Sequence, residues 1–251
     1  MALFARPLSD GDCLDVAGAV VRLKVHQRAR RVSLRLDRTR REVIATAPSP
    51  RHLAEAAAFA RSRADWIAQR IAELPGAQPL TPGTTLSLFD VTCVLESADH
   101  TMRLIREAST GALKIAGRGE GEVYARAVIR IIKREALSTF TTMTEAHCRA
   151  LNVRLPTVTM MDAKGRWGSC RSSAPGKPAA IRYSWRLALA PRRVADYVAA
   201  HECAHLLELN HGPRFWAHVD RLIGDIGPHR DWLKAEGARL HAIGSTSGSR
   251  V

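Results

Sequence analysis

One five-residue segment, His201-Glu202-Cys203-Ala204-His205, restricts the local fold more than any other part of the chain. Residues four apart lie on the same face of an α-helix, one turn from each other. The two histidines can therefore reach one metal ion if the segment is helical. Pro191 is a favourable first helical residue, and apolar side chains recur along 194–207. These features predict a helix from 191 to about 209.

The residue types on this helix match a catalytic zinc site. Zinc binds imidazole nitrogen and, in catalytic sites, keeps one coordination position open for water. Glu202 follows the first histidine directly and can act as general base toward the zinc-bound water. The segment therefore predicts a Zn2+-dependent hydrolase, with His201 and His205 as ligands and Glu202 as the catalytic residue.

Glu208 and His211 are the two main candidates for the third metal ligand. Glu208 lies on the same helical face as the histidines, but positions 0, 4 and 7 of a straight helix span about 10 Å, which is too long for one ion. The sequence Asn210-His211-Gly212-Pro213 predicts that the helix ends and the chain turns back. We therefore prefer His211 as the ligand and expect Glu208 to orient a ligand. His218 is a weaker alternative.

The first half of the chain has the pattern of β-strands. Apolar and polar residues alternate over 21–25 and 32–36, and 43–46 follows a turn, which predicts a three-stranded meander. Ser49-Pro50 then opens a predicted long helix that ends near Leu74. Residues 84–116 are again predicted to be β, and the two β-rich stretches can join one sheet.

The second half is predicted to be mostly helical. A long helix is expected from Val123 to about Leu151, strands over 157–161 and 181–187, and short helices near 214–223 and 229–242. The fold class is therefore α+β. We expect a β-rich region with one long helix over residues 1–119 and a second domain over residues 120–251.

The charge is strongly basic and partly local. Formal net charge is +14, and residues 22–41 hold nine Lys and Arg residues against Asp37 alone. Such a stretch favours DNA or another polyanion as partner, with Arg28, Arg30 and Arg31 as candidate contacts. The alternative is a solvated arginine-rich face. This leaves open a second function, a nucleic-acid-associated binding protein with a structural or vestigial metal site.

Cysteine usage and hydropathy bear on the compartment. The five cysteines are odd in number, widely spaced and without a CxxC pair, which argues against a disulfide framework. No run of about 18 apolar residues is present, and residues 1–20 lack the pattern of a secretory signal. We expect a cytoplasmic protein without membrane association.

Several motifs around the histidine helix carry a family resemblance. The motifs are Arg166-Trp167-Gly168-Ser169-Cys170, Tyr183-Ser184-Trp185-Arg186-Leu187, Asp196-Tyr197-Val198 and Asn210-His211-Gly212-x-x-Phe215-Trp216. Together with the histidine helix, they resemble the YgjP-like metallopeptidases, which are related to the SprT-like and WLM-type zinc proteases. Metzincins do not fit, because Glu208 replaces their glycine and no methionine follows Met161.

The resemblance implies a small zincin-like catalytic domain and a peptide or protein substrate. It also implies His201, His205 and His211 as ligands and Glu202 as the catalytic residue. SprT-like relatives include proteases that act on DNA-bound proteins, so this activity is a further alternative here.

Three residues outside the histidine helix are candidates for substrate contact. Residues 166–170 can form a strand beside the cleft that pairs with an extended peptide, which would place Trp167 and Ser169 near the substrate. Tyr183 can donate a hydrogen bond to an oxyanion. The alternative for Trp167 and Tyr183 is packing in the core.

Overall fold

A computed structural model describes residues 6–38, 40–163 and 165–245. The chain forms two compact units. The first comprises the described residues up to Gln78 and from His241 onward, and the second comprises Pro79–Leu240. The fold class is α+β, as predicted. No helix among the described residues has the length and apolarity needed to cross a bilayer.

The first unit is a four-stranded sheet covered by two helices. Its strands are β1 (Cys13–Val16), β2 (Ala19–Val25), β3 (Ser33–Asp37) and β4 (Glu42–Ala47). The order in the sheet is β1-β2-β4-β3, with β2 parallel to β4 and the other pairs antiparallel. The strands therefore do not form the simple meander predicted for 21–46. Residues 26–32 cross over, and β4 enters between β2 and β3.

The helical part of this unit is also divided. A short 3-10 helix (Pro50–His52) leads into α1 (Leu53–Ser62), and α2 (Ala64–Ala72) follows. Arg63, at φ −113° and ψ 25°, breaks the single long helix that the sequence predicted. Small side chains let α1 lie close to the sheet, where Ala56, Ala57 and Ala60 pack with the inward residues of β2 and β4.

The second unit begins with another four-stranded sheet. Its strands are β5 (Thr85–Leu88), β6 (Val91–Ser97), β7 (Arg103–Arg106) and β8 (Leu113–Gly117), in the order β5-β6-β8-β7. The two β-rich stretches thus form separate sheets rather than one. The long helix α3 (Gly121–Leu151) follows, and residues from Tyr124 to Phe140 at four-residue spacing are buried on one of its faces. The left-handed Asn152 ends α3.

The two sheets repeat one another. Val21 pairs with Val43 where β2 meets β4, and Cys93, 72 residues later than Val21, pairs with Leu113 where β6 meets β8. Each parallel pairing extends over five residues, and each first hairpin closes on two residues with positive φ, Ala17-Gly18 and Phe89-Asp90. Such turns match the twist of the strands that they join. The repeat is therefore evident from strand register and turn geometry. The amino-acid sequences of the two sheets are too dissimilar to reveal it.

The rest of the second unit surrounds the histidine helix. A three-stranded sheet has the order β10-β11-β9, formed by β9 (Thr157–Met161), β10 (Gly168–Arg171) and β11 (Ala180–Ser184). Strand β11 ends three residues earlier than predicted, where a 3-10 helix (Trp185–Leu189) begins. The last helices are α4 (Arg192–Ala204), α5 (Pro213–Ile223) and α6 (Gly227–Ala242).

The second unit includes residues 79–119, which the sequence-based division assigned to the N-terminal region. The turn between β5 and β6 contacts elements near the histidines. Phe89 N–H donates to the carbonyl of Ala188 at 2.8 Å, and the Asp90 carboxylate accepts from the N–H of Arg192, the first residue of α4, at 2.8 Å. The division into residues 1–119 and 120–251 stays a prediction.

Candidate metal centre

Helix α4 and the loop after it bring three histidines together. His201 lies in the last turn of α4, and His205 is its C-terminal cap. The helix ends at Ala204, about five residues earlier than predicted, and Gly212-Pro213 starts α5. The loop between the two helices places His211 beside the other two imidazoles.

The three imidazoles have a spacing suited to one metal ion. One ligand nitrogen from each residue lies within 4.8 Å of the others. The Nε2 atoms of His201 and His211 are 3.0 Å apart. Two nitrogens bound tetrahedrally to zinc would be about 3.3 Å apart, given zinc–nitrogen bonds of about 2.0–2.1 Å. His218 is not part of this cluster.

Electrostatics favour neutral imidazoles in the cluster. Burial lowers the pKa of His201 to about 4, and the nearby His205, His211 and Arg230 lower it as well. Burial also lowers the pKa of His205. A neutral imidazole offers a lone pair to a metal, so His201 and His205 can bind an ion without first losing a proton near neutral pH. All-nitrogen donors suit Zn2+ better than Mg2+ or Ca2+, which prefer oxygen.

A backbone carbonyl orients the second histidine. The Nδ1 atom of His205 lies 3.0 Å from the carbonyl oxygen of Glu208, and Nδ1–H donation to that oxygen leaves the Nε2 lone pair free for a metal. Glu208 was predicted to orient a ligand through its side chain. Its carboxylate instead lies 4.0 Å from Arg214, so the contact to His205 comes from the main chain.

Phe215, which the sequence analysis placed in a family motif without a role, lies against all three imidazoles. Phe215 is fully buried, and its ring centroid lies 4.8, 4.5 and 4.6 Å from those of His201, His205 and His211. It stands in the first turn of α5, two residues after Pro213. The predicted start of a helix near residue 214 indicates where Phe215 lies along that helix. The sequence does not indicate which side chains its ring contacts.

Glu202 lies beside the histidines in a low-polarity position. Its side chain is buried, and burial raises its pKa to about 7, opposed by the positive charge of Arg166. Gly168 makes room for it, because a Cβ atom on that glycine would lie 2.3 Å from Glu202 Oε1. A carboxyl group with a pKa near neutrality is suited to accept and return protons.

An open cleft of about 320 Å³ is lined by the three histidines, by Glu202 and by residues 168–170 of β10. Strand β10 is at the edge of its sheet, so its outer side has no strand partner among the described residues. Ser169 lines this cleft, as does the side chain of Leu209, which is 68% exposed. The cleft therefore offers both an unpaired strand edge and an apolar contact.

The other two residues predicted to contact substrate lie elsewhere. Trp167 is half-buried and packs toward α6, where its Cζ2 atom limits the space at Gly237. Tyr183 is fully buried, with its ring stacked 4.3 Å from that of Phe140 and its hydroxyl 2.9 Å from Thr144 Oγ1. Tyr183 is thus packed in the core, with its hydroxyl paired to Thr144, and contact with an oxyanion stays a prediction.

The arginines proposed to contact nucleic acid lie in the first unit. Arg28, Arg30 and Arg31 are exposed in the crossover between β2 and β3. The three-histidine cluster lies in the second unit. The basic loop and the candidate metal centre therefore belong to different compact units.

Comparison with known proteins gives one match. Residues 30–236 match the family model described as YgjP-like, metallopeptidase domain. No curated protein and no solved structure gives a match.

Proposed function

The chain belongs to the YgjP-like metallopeptidase family, and from this premise we propose that it is a zinc-dependent peptidase acting at the three-histidine cluster. The observation that carries the proposal is the convergence of three imidazole nitrogens within 4.8 Å, next to the buried Glu202. In this proposal His201, His205 and His211 hold the ion. Zinc, when bound, supplies a Lewis acid that polarises the scissile carbonyl.

Glu202 is proposed to move the protons. Its carboxylate accepts a proton from the attacking water, and the same group then delivers that proton to the departing amine. The raised pKa supports both steps, because a carboxylate of ordinary acidity is a weaker base and holds the proton less readily. Burial also excludes competing solvent from the carboxylate.

The substrate is proposed to be an extended peptide. The free edge of β10 can add one strand, because its outward N–H and C=O groups have the spacing of a peptide backbone. Ser169 lies on this strand, inside the cleft. Leu209, which also lines the cleft, would contact an apolar side chain of the peptide.

Metal content tests the ligand set. Protein loaded with Zn2+ and freed of excess ion by gel filtration is expected to carry about one zinc per chain. His211→Ala should lose most of it, whereas His218→Ala, outside the cluster, should retain it. Full zinc occupancy in His211→Ala would remove His211 from the site.

Hydrolysis of a quenched fluorescent peptide library tests the role of Glu202. Glu202→Gln is expected to keep the zinc and to lose at least about 100-fold in rate, because the amide cannot accept the proton from water. Undiminished peptide cleavage by the zinc-loaded variant would sink the assignment.

Nucleic-acid binding is the second candidate function, alone or combined with cleavage of DNA-bound proteins. It is supported by the exposure of Arg28, Arg30 and Arg31 in a basic loop. If these residues contact phosphates, changing all three to Gln should reduce the salt dependence of DNA affinity. Absence of any binding at low salt would exclude this function.

A further inference from the structure

Two grooves away from the histidine cleft occupy matching positions in the two strand repeats. Groove A lies in the first unit, has a volume of about 400 Å³, and is lined by Arg31, Leu34, Phe59, Arg63 and Trp66. Groove B lies in the second unit and has a volume of about 720 Å³. It is lined by Met102, Arg118, Val123, Arg130, Ile131 and Arg134.

The correspondence between the grooves follows from the repeat. In each unit the groove includes the residues just before the outer strand, which are Arg31-Val32 before β3 and Thr101-Met102 before β7. The other wall is the helical segment that follows the sheet. Counting from the start of that segment, Phe59 and Arg63 take the places of Arg130 and Arg134. The grooves are therefore a recurrent feature of the repeat rather than two unrelated depressions.

Both grooves are positively charged. Among the described residues, two arginines line groove A and three line groove B, and no carboxylate lines either one. Arg118 and Arg130 are exposed, and neither side chain forms an ion pair or hydrogen bond with another residue in the described ranges. Arg134 reaches a carboxylate only at 3.7 Å, that of the adjacent Glu135. These guanidinium groups are available to an anionic ligand.

Both grooves also expose apolar surface. In groove A, Trp66 is 36% exposed, and Arg63 lies over the ring of Phe59, 5.6 Å from its centroid. In groove B, Val123 is 62% exposed beside Met102 and Ile131. An anionic ligand suited to both grooves therefore has flat or apolar parts next to its charges.

We propose that grooves A and B bind single-stranded nucleic acid. Phosphates would contact the arginines, and unstacked bases would lie against Trp66 and Phe59 in groove A and the aliphatic floor of groove B. A duplex keeps its bases stacked inside and would use the arginines only. An acidic polypeptide supplies carboxylates, but it does not carry a planar ring beside each charged group. Single strands thus match both properties of the grooves.

Binding of a fluorescein-labelled oligothymidylate to the full chain, followed by anisotropy over a range of KCl concentrations, tests groove B. Each phosphate contact on a single strand contributes about 0.7 to the slope of log affinity against log salt. Changing Arg118, Arg130 and Arg134 together to Gln should lower the slope by about 2. The matched control changes the exposed Arg149, Arg154 and Arg192 to Gln. An equal decrease in the control would overturn the proposal in favour of general charge attraction.

The ring contacts are tested in groove A. Trp66→Leu should weaken oligothymidylate binding by about fivefold or more, since base stacking on one ring contributes at least about 1 kcal/mol. Trp66→Phe should restore most of the affinity, which separates lost stacking from altered folding. Changing Arg31 and Arg63 to Gln should weaken binding more than changing Arg51 and Arg61, which are exposed in the same unit but do not line groove A.

Two competitors decide the class of ligand. A duplex of the same length should bind more weakly than the single strand, and its affinity should not respond to Trp66→Leu. Polyglutamate should compete poorly. Equal affinity for duplex and single strand, with no effect of Trp66→Leu, would overturn the proposal. Displacement of oligothymidylate by polyglutamate at equal charge concentration would assign the grooves to acidic polypeptides instead.

Discussion

At the scale of single residues, the candidate site depends on one small side chain next to one buried charge. Gly168 faces the Glu202 carboxyl group so closely that a methyl group at residue 168 would overlap it, with the nearest three Glu202 atoms at 2.3–2.6 Å. The side chain of Glu202 is buried, so it has little room to move aside. Position 168 thereby controls where the carboxylate can lie.

Gly168→Ala is expected to reduce peptidase activity by about 100-fold while zinc content stays unchanged, because a displaced general base loses its alignment with water. The matched control is Gly165→Ala, where an added Cβ meets no atom within 4 Å. Rate measurements on the zinc-loaded variants compare the two. Comparable activities would show that Glu202 has another productive position.

The burial of Glu202 also predicts a pH dependence of stability in the metal-free protein. Its pKa rises from 4.5 in the unfolded chain to about 7 in the folded one, so between these pH values the folded state retains a proton that the unfolded chain has released. The free energy of unfolding therefore decreases as pH rises through this range. His201 acts in the opposite direction, because its pKa is lowered to about 4.

A variant of Glu202 separates the contribution of Glu202 to the pH dependence of stability from that of His201. Glu202→Gln should become more stable than the unsubstituted protein as pH rises from about 5 to 8, by up to about 3 kcal/mol at about 1.4 kcal/mol per pKa unit. Urea unfolding at several pH values measures this difference. The matched surface control is Glu145→Gln, an exposed change on α3. A Glu202→Gln difference independent of pH would contradict the raised pKa.

At the scale of elements, the loop between α4 and α5 is held by α5. Phe215 of that helix contacts all three imidazoles, and the loop supplies both His211 and the Glu208 carbonyl. The loop has few other apolar anchors, since Leu207 and Leu209 are exposed. The position of His211 therefore depends on how α5 packs.

Phe215→Leu should lower zinc affinity by about tenfold, in the range found when groups that orient metal ligands are altered. Competition with a chromogenic chelator measures the affinity. Val219→Ala serves as control, because it removes buried volume one turn further along α5 without touching the histidines. It should reduce stability but preserve zinc binding, and parallel losses in both variants would assign the effect to α5 stability alone.

The elements also show what sequence patterns can predict. Pro191 indicates the start of the histidine helix, the apolar spacing after Gly121 indicates α3, and the alternation after Pro156 indicates β9. Such apolar spacing and alternation directly indicate a buried face. The order β1-β2-β4-β3, the break at Arg63 and the packing of Phe215 against the three histidines could not be predicted in this way. A pattern shows that a face is buried, but not which neighbour covers it.

At the scale of the whole molecule, the second sheet and the candidate metal centre lie in one compact unit. Tyr124 of α3 is fully buried and donates its hydroxyl hydrogen to the Glu96 carbonyl of β6 at 3.1 Å. Phe89 lies 5.9 Å from Phe140, ring to ring. A fragment that begins at residue 120 would expose this face of α3.

Two fragments test the consequence. Residues 79–240 should fold cooperatively and bind zinc, whereas residues 120–251, the domain predicted from sequence, should unfold or aggregate because α3 loses its covering sheet. Circular dichroism during heating, with zinc content, distinguishes them. Cooperative folding of 120–251 with full zinc binding would support the boundary at 119/120.

The paired hairpin turns of the repeat have diverged in what they contribute. Ala17-Gly18 contains a glycine, for which positive φ costs little, whereas Phe89 and Asp90 adopt φ values of 49° and 70° with full side chains. That conformation costs about 1–2 kcal/mol per residue. In return, Phe89 adjoins the ring of Phe140, and Asp90 caps the helix that carries the histidines. The first turn thus has the less costly backbone, whereas the second combines a more costly backbone with contacts that fix the start of the histidine helix from a segment outside the cleft.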